Sequence, residues 1–444
     1  MEVTIRKGRV EGKVHVPSSK SLLQRYLIGA LLAEGVTELY DVHHCNDTLA
    51  CLDAVQSFQS QSQIGSGLRI EGGNGVIYPS IDRINCGESG FALRALASVA
   101  ALAAGQITLT GSGSLQRRPV SFFENVFPEL GVECKTNGGF LPLNVRGPMR
   151  FKDISIDGSL SSQFLSGLLI VYPLANKDHV IDVKNLSSKH YIDLTLQVMK
   201  DFGVNVTHES YQKFFIPGNQ KYKSCKAVIE GDWSAASFLL VAGATAGEVT
   251  VNNLSMNSLQ PDKAIVEVLR SCGAEVTLNN NSVSVTSSDF KLRTSNFKSR
   301  GFTHDREQAS RLQTHNLKPF KFDSTDCPDL FPPLVALAAR CNGISEITGV
   351  QRLIHKESNR ALALQQEFSK MNDKLISIEG NKMIICGGLP LKSANVDSHN
   401  DHRIAMSLAI AGLNVEGGIQ ISGCESVQKS YPDFFANLEK LIMN

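Results

Sequence analysis

One pattern of apolar and polar residues recurs six times along the chain. Each copy begins with an apolar stretch of helical period, continues through a short turn of small residues, and ends in a strand in which apolar and polar residues alternate. The copies begin at Leu31, Ala100, Leu169, Val241, Val335 and Ala409. They follow one another at roughly 70 residues, except before the fifth, and so long a period predicts a repeated supersecondary unit.

A second amphipathic helix follows each of these strands. The clearest examples have apolar residues at i, i+3 and i+4, then a glycine, then a strand of period two. They are FFENVFPELGVECKTN, LTLQVMKDFGVNVTH and AIVEVLRSCGAEVTL. Each copy therefore predicts the order strand, helix, strand, helix and paired strands, and a chain of such units predicts an α/β fold.

The two ends of the chain predict how the units are grouped. The sixth copy ends in the helix FFANLEKLI with no strands after it, whereas the strands of residues 1–16 have no helix before them. We therefore expect the N-terminal strands to complete the sixth unit. Three units per domain then predict one domain of residues 1–18 and 231–444 and another of residues 19–230, with a cleft between them. Extra polar sequence at residues 291–316 predicts a surface insertion or a lid.

Composition narrows the class of partner. Hydrophobic residues make up 42% of the chain and charged residues 20%, and the formal net charge is +1. This balance is typical of a soluble globular protein and predicts neither nucleic acid nor a membrane surface as a partner. No apolar run approaches the roughly 18 residues of a membrane span. The ten cysteines form no CxxC pair, and so we expect reduced thiols, no metal site and a cytoplasmic location.

Basic residues gather at two recurring positions of the repeat. Small, polar or charged residues precede the first helix of every unit, in PSSKS, NCGESG, DGSLSSQ, EGDWSAAS, DSTDCPD and DSHNDHR. Helix N-termini offer free N–H groups and partial positive charge, which suit phosphates and carboxylates. The cations lie either there or in the loop that opens the second helix: Lys20, Arg25, Arg94, Arg118, Lys356, Arg360, Arg403 and Lys429. This recurrence in a nearly neutral chain predicts a small polyanionic ligand rather than solvated surface charges.

Two acidic residues stand among these cations, Asp329 in CPDLF and Glu357 in HKESNR. Each also suits a structural role, Asp329 as a helix cap and Glu357 as the partner of a nearby cation. A carboxylate among cations has a depressed pKa, which favours a base over an acid. Proton transfer at carbon needs both roles, and so Asp329, Glu357 and Lys20 are the candidates. We expect His43 in HH and His402 in DHR to have structural or hydrogen-bonding roles rather than to bind a metal.

Many short motifs, taken in order, resemble the 5-enolpyruvylshikimate-3-phosphate synthase family over nearly the whole chain. They are PSSKSLLQR, CGESGFALR, QRRP, SSQFL, SKHYID, CPD, HKESNR, DHRIAM and KSYPDF. The resemblance implies two inside-out α/β domains of three units each, which close on the substrates. It also implies transfer of the enolpyruvyl group of phosphoenolpyruvate to the 5-hydroxyl of shikimate 3-phosphate. This reaction passes through a tetrahedral intermediate, releases phosphate and needs no metal or organic cofactor.

The resemblance further implies the roles of individual residues. Asp329 would take the proton of the 5-hydroxyl group, and Glu357 would serve proton transfer at the methylene carbon, shared with Lys20. Shikimate 3-phosphate would contact Lys20, Ser21, Arg25, Ser161, Ser162, Gln163, Ser188, Tyr191, Asp329 and Lys356. Phosphoenolpyruvate would contact Lys20, Gly90, Arg118, Gln163, Arg360, Arg403 and Lys429.

Four residues depart from the common pattern of the family. Glu88 and Phe91 stand where Asn and Thr are frequent, beside the expected phosphoenolpyruvate loop, while His190 and Asn359 replace a frequent Pro and Asp. A narrower and more negative pocket wall predicts reduced sensitivity to glyphosate, which occupies this site in the family. Two alternatives stay open: the related enolpyruvyl transferase acting on UDP-N-acetylglucosamine, and a non-catalytic anion-binding protein on the same fold. We expect a monomer.

Overall fold

The computed structural model describes residues 1–58, 61–65, 67–159, 161–287 and 317–443. The insertion predicted at residues 291–316 lies outside this range. Within it, no helix is both long and apolar enough to cross a membrane. All ten cysteines fall in the described ranges, and each has a free thiol.

The chain is divided between two units. We call Pro17–Glu230 with Leu259–Pro261 the central unit. The remainder, Met1–Val16, Gly231–Ser258 and Asp262–Asn444, is the terminal unit. The chain first passes from the terminal to the central unit between Val16 and Pro17. The sequence predicts this boundary two residues later, after residue 18.

The central unit contains three four-stranded sheets. In each sheet the first two strands are parallel and the other neighbours are antiparallel. A parallel pair needs a crossover, and a helix supplies it in the second and third sheets. The strands, in sheet order, are Lys226–Val228, Val36–Tyr40, Leu68–Glu71 and Gln61–Ile64; Arg83–Asn85, Gln106–Thr110, Phe140–Arg146 and Glu133–Asn137; and Ile154–Asp157, His179–Lys184, Lys213–Ile216 and Thr207–Glu209.

Two helices accompany each sheet of the central unit: Lys20–Leu32 and Asn46–Gln56, Gly90–Ala100 and Phe122–Val126, and Ser162–Val171 and His190–Asp201. The first helix of each pair is buried on nearly all sides, as is typical of a helix inside a core. The strands instead alternate between buried and exposed positions. The helices therefore form the centre of the unit and the sheets its outside.

The terminal unit repeats this plan with two four-stranded sheets and one three-stranded sheet. The strands, in sheet order, are Glu275–Asn279, Ser282–Thr286, Gly247–Asn252 and Val10–His15; Lys321–Asp323, Gly343–Thr348, Lys382–Gly387 and Ile376–Glu379; and Glu2–Ile5, Ile419–Ser422 and Ala394–Asp397. Its helices within the described residues are Trp233–Ala246, Ile265–Ser271, Phe331–Ala338, Arg360–Met371, His402–Gly412 and Phe434–Leu441. Short 3₁₀ turns lie in both units. They are Gly113–Arg117, Pro128–Leu130, Tyr172–Leu174, Pro261–Ala264, Pro328–Leu330, Val350–Leu353 and Cys424–Lys429.

The N-terminal strands are shared between two units of the repeat, which corrects the prediction that both complete the sixth. Glu2–Ile5 does pair with Ile419–Ser422 of the sixth unit. Val10–His15 instead pairs in parallel with Gly247–Asn252 of the fourth unit. The fourth copy of the repeat begins with the helix Trp233–Ala246 and has no strand of its own before it. Val10–His15 takes the place of that strand in the sheet.

Polar side chains cap the starts of six helices, and all of these except Trp233–Ala246 carry predicted site residues. The residue before the helix accepts a hydrogen bond from a backbone N–H group of the first turn, which satisfies a donor that has no partner inside the helix. These caps are Ser19, Ser89 and Ser161 in the central unit and Asp232, Asn359 and Asp401 in the terminal unit. Capping fixes where each helix begins, and with it the positions of Lys20, Arg360 and Arg403 in the first turns of their helices.

Candidate active site

Lys20 is the first residue of its helix and is paired with an acid that the sequence analysis did not select. Its Nζ atom lies 2.8 Å from Oδ2 of Asp47, and both side chains are largely buried. Asp47 is the second residue of the helix Asn46–Gln56. Gln24 joins the neighbouring elements, because its Nε2 atom donates to the backbone oxygen of Asp47 and to Oγ of Ser89.

Arg25 is held by three hydrogen bonds and an aromatic ring. Its guanidinium donates to the backbone oxygens of Ser21 and Tyr191 and to Oγ1 of Thr195. The guanidinium carbon lies 4.2 Å from the centre of the Phe91 ring. Burial lowers the pKa of Arg25 to about 9, which leaves it charged at neutral pH. Phe91, one of the four departures, thus supports a predicted binding residue.

Gly90 lies at the centre of a group of polar side chains. A Cβ atom at this position would lie 2.7 Å from Nη1 of Arg94, 2.9 Å from Nη1 of Arg118 and 3.5 Å from Oε1 of Gln163. Arg94 donates to the backbone oxygen of Gly90 and to Oε1 of Gln163, each at 3.2 Å. The structure therefore brings three predicted residues together around a backbone that only glycine leaves accessible. Arg94 completes the group.

Glu88 anchors the turn that carries Arg118. Its Oε2 atom accepts the backbone N–H of Ser114 at 2.9 Å. Oγ of Ser114 in turn accepts from Nη2 of Arg118 at 3.2 Å. Gly113 has a positive φ of 52°, and a Cβ atom there would lie 2.5 Å from both carboxylate oxygens of Glu88. The carboxylate of Glu88 is therefore packed against the 3₁₀ turn that begins at Gly113.

Three of the four predicted serines lie at the two helix starts beside the third sheet, and the fourth, Ser21, is the second residue of the helix Lys20–Leu32. Oγ of Ser161 accepts the backbone N–H of Gln163 at 3.1 Å, and Ser162 is the first residue of the helix. Ser188 is buried with a positive φ of 57°, two residues before the helix His190–Asp201. Tyr191 donates its own backbone N–H to the oxygen of Ser188. Hydroxyl and backbone donors thus concentrate at these two starts.

Arg360, in the terminal unit, is surrounded by three carboxylates. Its Nε atom donates to Asp401 at 2.8 Å, Nη1 to Asp329 at 2.9 Å and Nη2 to Glu357 at 2.5 Å. Burial disfavours the charge of Arg360, but Asp401, Glu357 and Asp329 outweigh it and raise its pKa. A planar fork of donors is the group that can satisfy several acids at once.

Asp329 lies among three cations. One oxygen contacts Lys356 at 3.4 Å and Arg360 at 2.9 Å, and the other contacts Arg403 at 3.0 Å. Burial raises the pKa of Asp329, but Arg403, Lys356 and Arg360 together hold it well below its usual range. Burial lowers the pKa of Lys356, which Asp329 partly opposes. Asp329 is therefore an ionised acceptor at neutral pH.

Lys429 and Asp262 complete this part of the terminal unit. Lys429 is buried and its Nζ atom donates to the backbone oxygen of Asn400 at 2.7 Å. Asp262, in the 3₁₀ turn Pro261–Ala264, is fully buried. Burial and the charge of Asp329 raise the pKa of Asp262 to about 7, against the effect of Arg403.

Three acids of these clusters escaped the sequence analysis: Asp47, Asp262 and Asp401. Each begins or closely precedes a helix, where an aspartate already has a common structural explanation as a cap. Asp401 directly precedes His402 in the DHR motif, and its position beside a conspicuous basic residue was the available signal. Asp47 and Asp262 carried no comparable signal.

Comparison with known proteins decides the family. The family model described as EPSP synthase (3-phosphoshikimate 1-carboxyvinyltransferase) matches residues 5–438. The chain belongs to the EPSP synthase family. A 3-phosphoshikimate 1-carboxyvinyltransferase of Clostridium kluyveri is 36% identical over 440 residues, which cover 99% of this chain and 97% of that protein. One of Clostridium novyi is 33% identical over 450 residues, with the same two coverages.

Solved structures agree on the fold of the EPSP synthase family. An EPSP synthase from Acinetobacter baumannii superposes with a TM-score of 0.78 at 24% identity, covering 100% of this chain and 98% of that one. The predicted family, the α/β fold and the enzyme class, a 3-phosphoshikimate 1-carboxyvinyltransferase, are thereby confirmed. Neither alternative function is favoured by these comparisons.

Proposed function

We propose that this chain transfers the enolpyruvyl group of phosphoenolpyruvate to the 5-hydroxyl of shikimate 3-phosphate, with release of inorganic phosphate. The observation that carries the proposal is Asp329, an ionised carboxylate in hydrogen-bond or ion-pair contact with Lys356, Arg360 and Arg403. A base and a set of cations at one place suit the attack of a hydroxyl group on an anionic substrate.

Shikimate 3-phosphate is assigned to a set of hydroxyl, amide, cationic and carboxylate side chains. They are Lys20, Ser21, Arg25, Ser161, Ser162, Gln163, Ser188, Tyr191, Asp329 and Lys356. The capped helix start at Ser161 and Ser162 offers backbone N–H donors and partial positive charge to a phosphate. Arg25, fixed on Phe91 and three acceptors, adds a preorganised charge.

Phosphoenolpyruvate is assigned to Lys20, Gly90, Arg118, Gln163, Arg360, Arg403 and Lys429. The accessible backbone at Gly90, flanked by two arginines, suits the close approach of a phosphate or carboxylate. Several of these cations form ion pairs with Asp47, Asp329 and Asp401. The acids thus stabilise the buried positive charges, and a bound anion would replace part of their contacts.

The reaction proceeds by addition and elimination. Asp329 takes the proton of the 5-hydroxyl group as the hydroxyl oxygen attacks C2 of phosphoenolpyruvate. Glu357 delivers a proton to the methylene carbon, a role that it shares with Lys20. The tetrahedral intermediate then loses a proton from the new methyl group as the C2–O bond to phosphate breaks. Bound anions weaken the hold of the cations on Asp329, which raises its pKa and makes it a stronger base.

We further propose that the enzyme acts as a cytoplasmic monomer without a metal or organic cofactor, and without nucleic acid or membrane as a partner. The net charge of +1 and the ten free thiols support this part of the proposal.

The test is an assay of the purified chain with both substrates. We expect phosphate release that depends on shikimate 3-phosphate, and a product whose mass equals that of shikimate 3-phosphate plus the enolpyruvyl group. UDP-N-acetylglucosamine should not replace shikimate 3-phosphate as acceptor. Release with phosphoenolpyruvate and the sugar nucleotide, but not with phosphoenolpyruvate and shikimate 3-phosphate, would favour the related transferase. Binding of both substrates without release would favour a non-catalytic protein.

A further inference from the structure

Glu367 is a fully buried carboxylate that the proposed reaction does not use. It lies on the helix Arg360–Met371, with no exposed side-chain surface. Its Oε1 atom is 2.8 Å from Nε2 of His399. Its Oε2 atom accepts the backbone N–H of Asp397 at 2.8 Å and the ammonium of Lys370 at 2.6 Å. Because an ionised carboxylate only accepts, Nε2 of His399 is the donor.

One of these partners, His399, belongs to a tight turn that directly follows Asp397. The backbone N–H of Asp401 donates to the oxygen of Ser398 at 2.9 Å. The two residues between them, His399 and Asn400, both have a φ of 53°, as in a type I′ turn. Two successive non-glycine residues in this conformation persist only where their surroundings hold them. The contact of His399 with Glu367 is such a restraint.

This turn presents one partner to each of two proposed binding residues. The backbone oxygen of Asn400 accepts from Nζ of Lys429, and Asp401 accepts from Arg360. Arg360 and Glu367 are seven residues apart on one helix and therefore lie on the same face. That face contacts the turn twice. Arg360 contacts Asp401, the last residue of the turn, and Glu367 contacts His399.

We propose that Glu367 and His399 are positioning residues for Lys429, acting through the turn that places the carbonyl group of Asn400. The proposal rests on the proposed function, in which Lys429 contacts phosphoenolpyruvate. If the restraint is removed, the turn relaxes and the ammonium of Lys429 loses its fixed acceptor. Binding of phosphoenolpyruvate then weakens, while shikimate 3-phosphate, which is assigned to other residues, is little affected.

The first experiment compares the KM values for the two substrates in variants of this pair. Glu367→Ala and His399→Ala should each raise the KM for phosphoenolpyruvate by about tenfold and that for shikimate 3-phosphate by less than about twofold. His399→Gln keeps an N–H donor of similar reach and should restore most of the loss. His399→Asn tolerates the positive φ but is too short to reach Glu367, and so it should behave as His399→Ala. Lys370→Met removes the third partner of Glu367 and should leave both constants unchanged.

The second experiment is a double-mutant cycle with Lys429→Met. Glu367→Ala should raise the KM for phosphoenolpyruvate less than about twofold in that background, because its effect passes through Lys429. The same factor in both backgrounds, or an equal rise for both substrates, would overturn the proposal. If Glu367→Ala does not fold, the comparison of His399→Gln with His399→Asn decides. A wild type that releases no phosphate contradicts the proposed function, whereas an active wild type with unchanged variants contradicts only this inference.

Discussion

Asp401 accepts a hydrogen bond from Nε of Arg360 at 2.8 Å, and neither side chain is appreciably exposed. Asp401 also caps its own helix through the backbone N–H of Arg403. One carboxylate thus fixes the beginning of a helix and the orientation of a guanidinium. This double role explains how a buried arginine is kept charged and held in one orientation.

Asp401→Asn tests this relationship. Asparagine is as good a cap as aspartate, and so the helix should be kept while the charge beside Arg360 is lost. Breaking a buried ion pair destabilises a protein by about 3–5 kcal/mol, and we expect a clear fall in Tm together with a KM for phosphoenolpyruvate at least about tenfold higher. Ser358→Ala, which removes only a hydroxyl donor to Asp401, is the matched control. An unchanged KM in Asp401→Asn would mean that Arg360 does not bind this substrate.

Gly90→Ala tests the accessible backbone between the arginines. The new Cβ atom would lie 2.7 Å from Arg94 and 2.9 Å from Arg118, so one or both guanidiniums must move. We expect the KM for phosphoenolpyruvate to rise by about tenfold or more and that for shikimate 3-phosphate to change little. Gly105→Ala is the control, since a Cβ atom there meets nothing within 4 Å. Equal effects on both substrates would argue against the assignment of Gly90.

Phe91→Thr tests the ring beneath Arg25. A cation–π contact of this kind is worth about 1 kcal/mol, and its loss should raise the KM for shikimate 3-phosphate about fivefold. Phe91→Leu keeps the buried volume without the aromatic face and should give a similar rise.

The ratio of the glyphosate inhibition constant to the KM for phosphoenolpyruvate should fall in Phe91→Thr. If that ratio stays the same, Phe91 does not discriminate between inhibitor and substrate.

Asp262→Asn tests a pH dependence of stability. Burial and Asp329 raise the pKa of Asp262 to about 7, whereas an unfolded aspartate titrates near about 3.9. Between these values the unfolded chain loses the proton that the folded chain keeps, and so this residue lowers stability as the pH rises. The Tm of Asp262→Asn relative to wild type should therefore be higher at pH 8 than at pH 5. Thermal unfolding at both pH values measures it, and a difference that shrinks with pH would refute the assignment.

The repeated unit could be predicted from the sequence because its pattern, apolar residues at a helical period followed by a period of two, depends only on neighbouring residues. The sequence also contained the cations, since they recur at two positions of the repeat, the start of the first helix and the loop that opens the second. It did not reveal which acid meets which cation. Asp47 reaches Lys20 across 27 residues and Asp401 reaches Arg360 across 41, and only the packed fold brings such pairs together. The pairing of Val10–His15 with the fourth unit is likewise a long-range property.

We propose that Asp329 acts as the base of an enolpyruvyl transfer, and phosphate release by Asp329→Asn with both substrates present tests this role directly. We expect kcat to fall by about 10²–10⁴-fold while the Kd for shikimate 3-phosphate stays within about tenfold, or about 1.4 kcal/mol. Glu357→Gln should behave similarly, and the exposed Asp373→Asn should match the wild type. Near-normal turnover in Asp329→Asn would show that Asp329 is not the base.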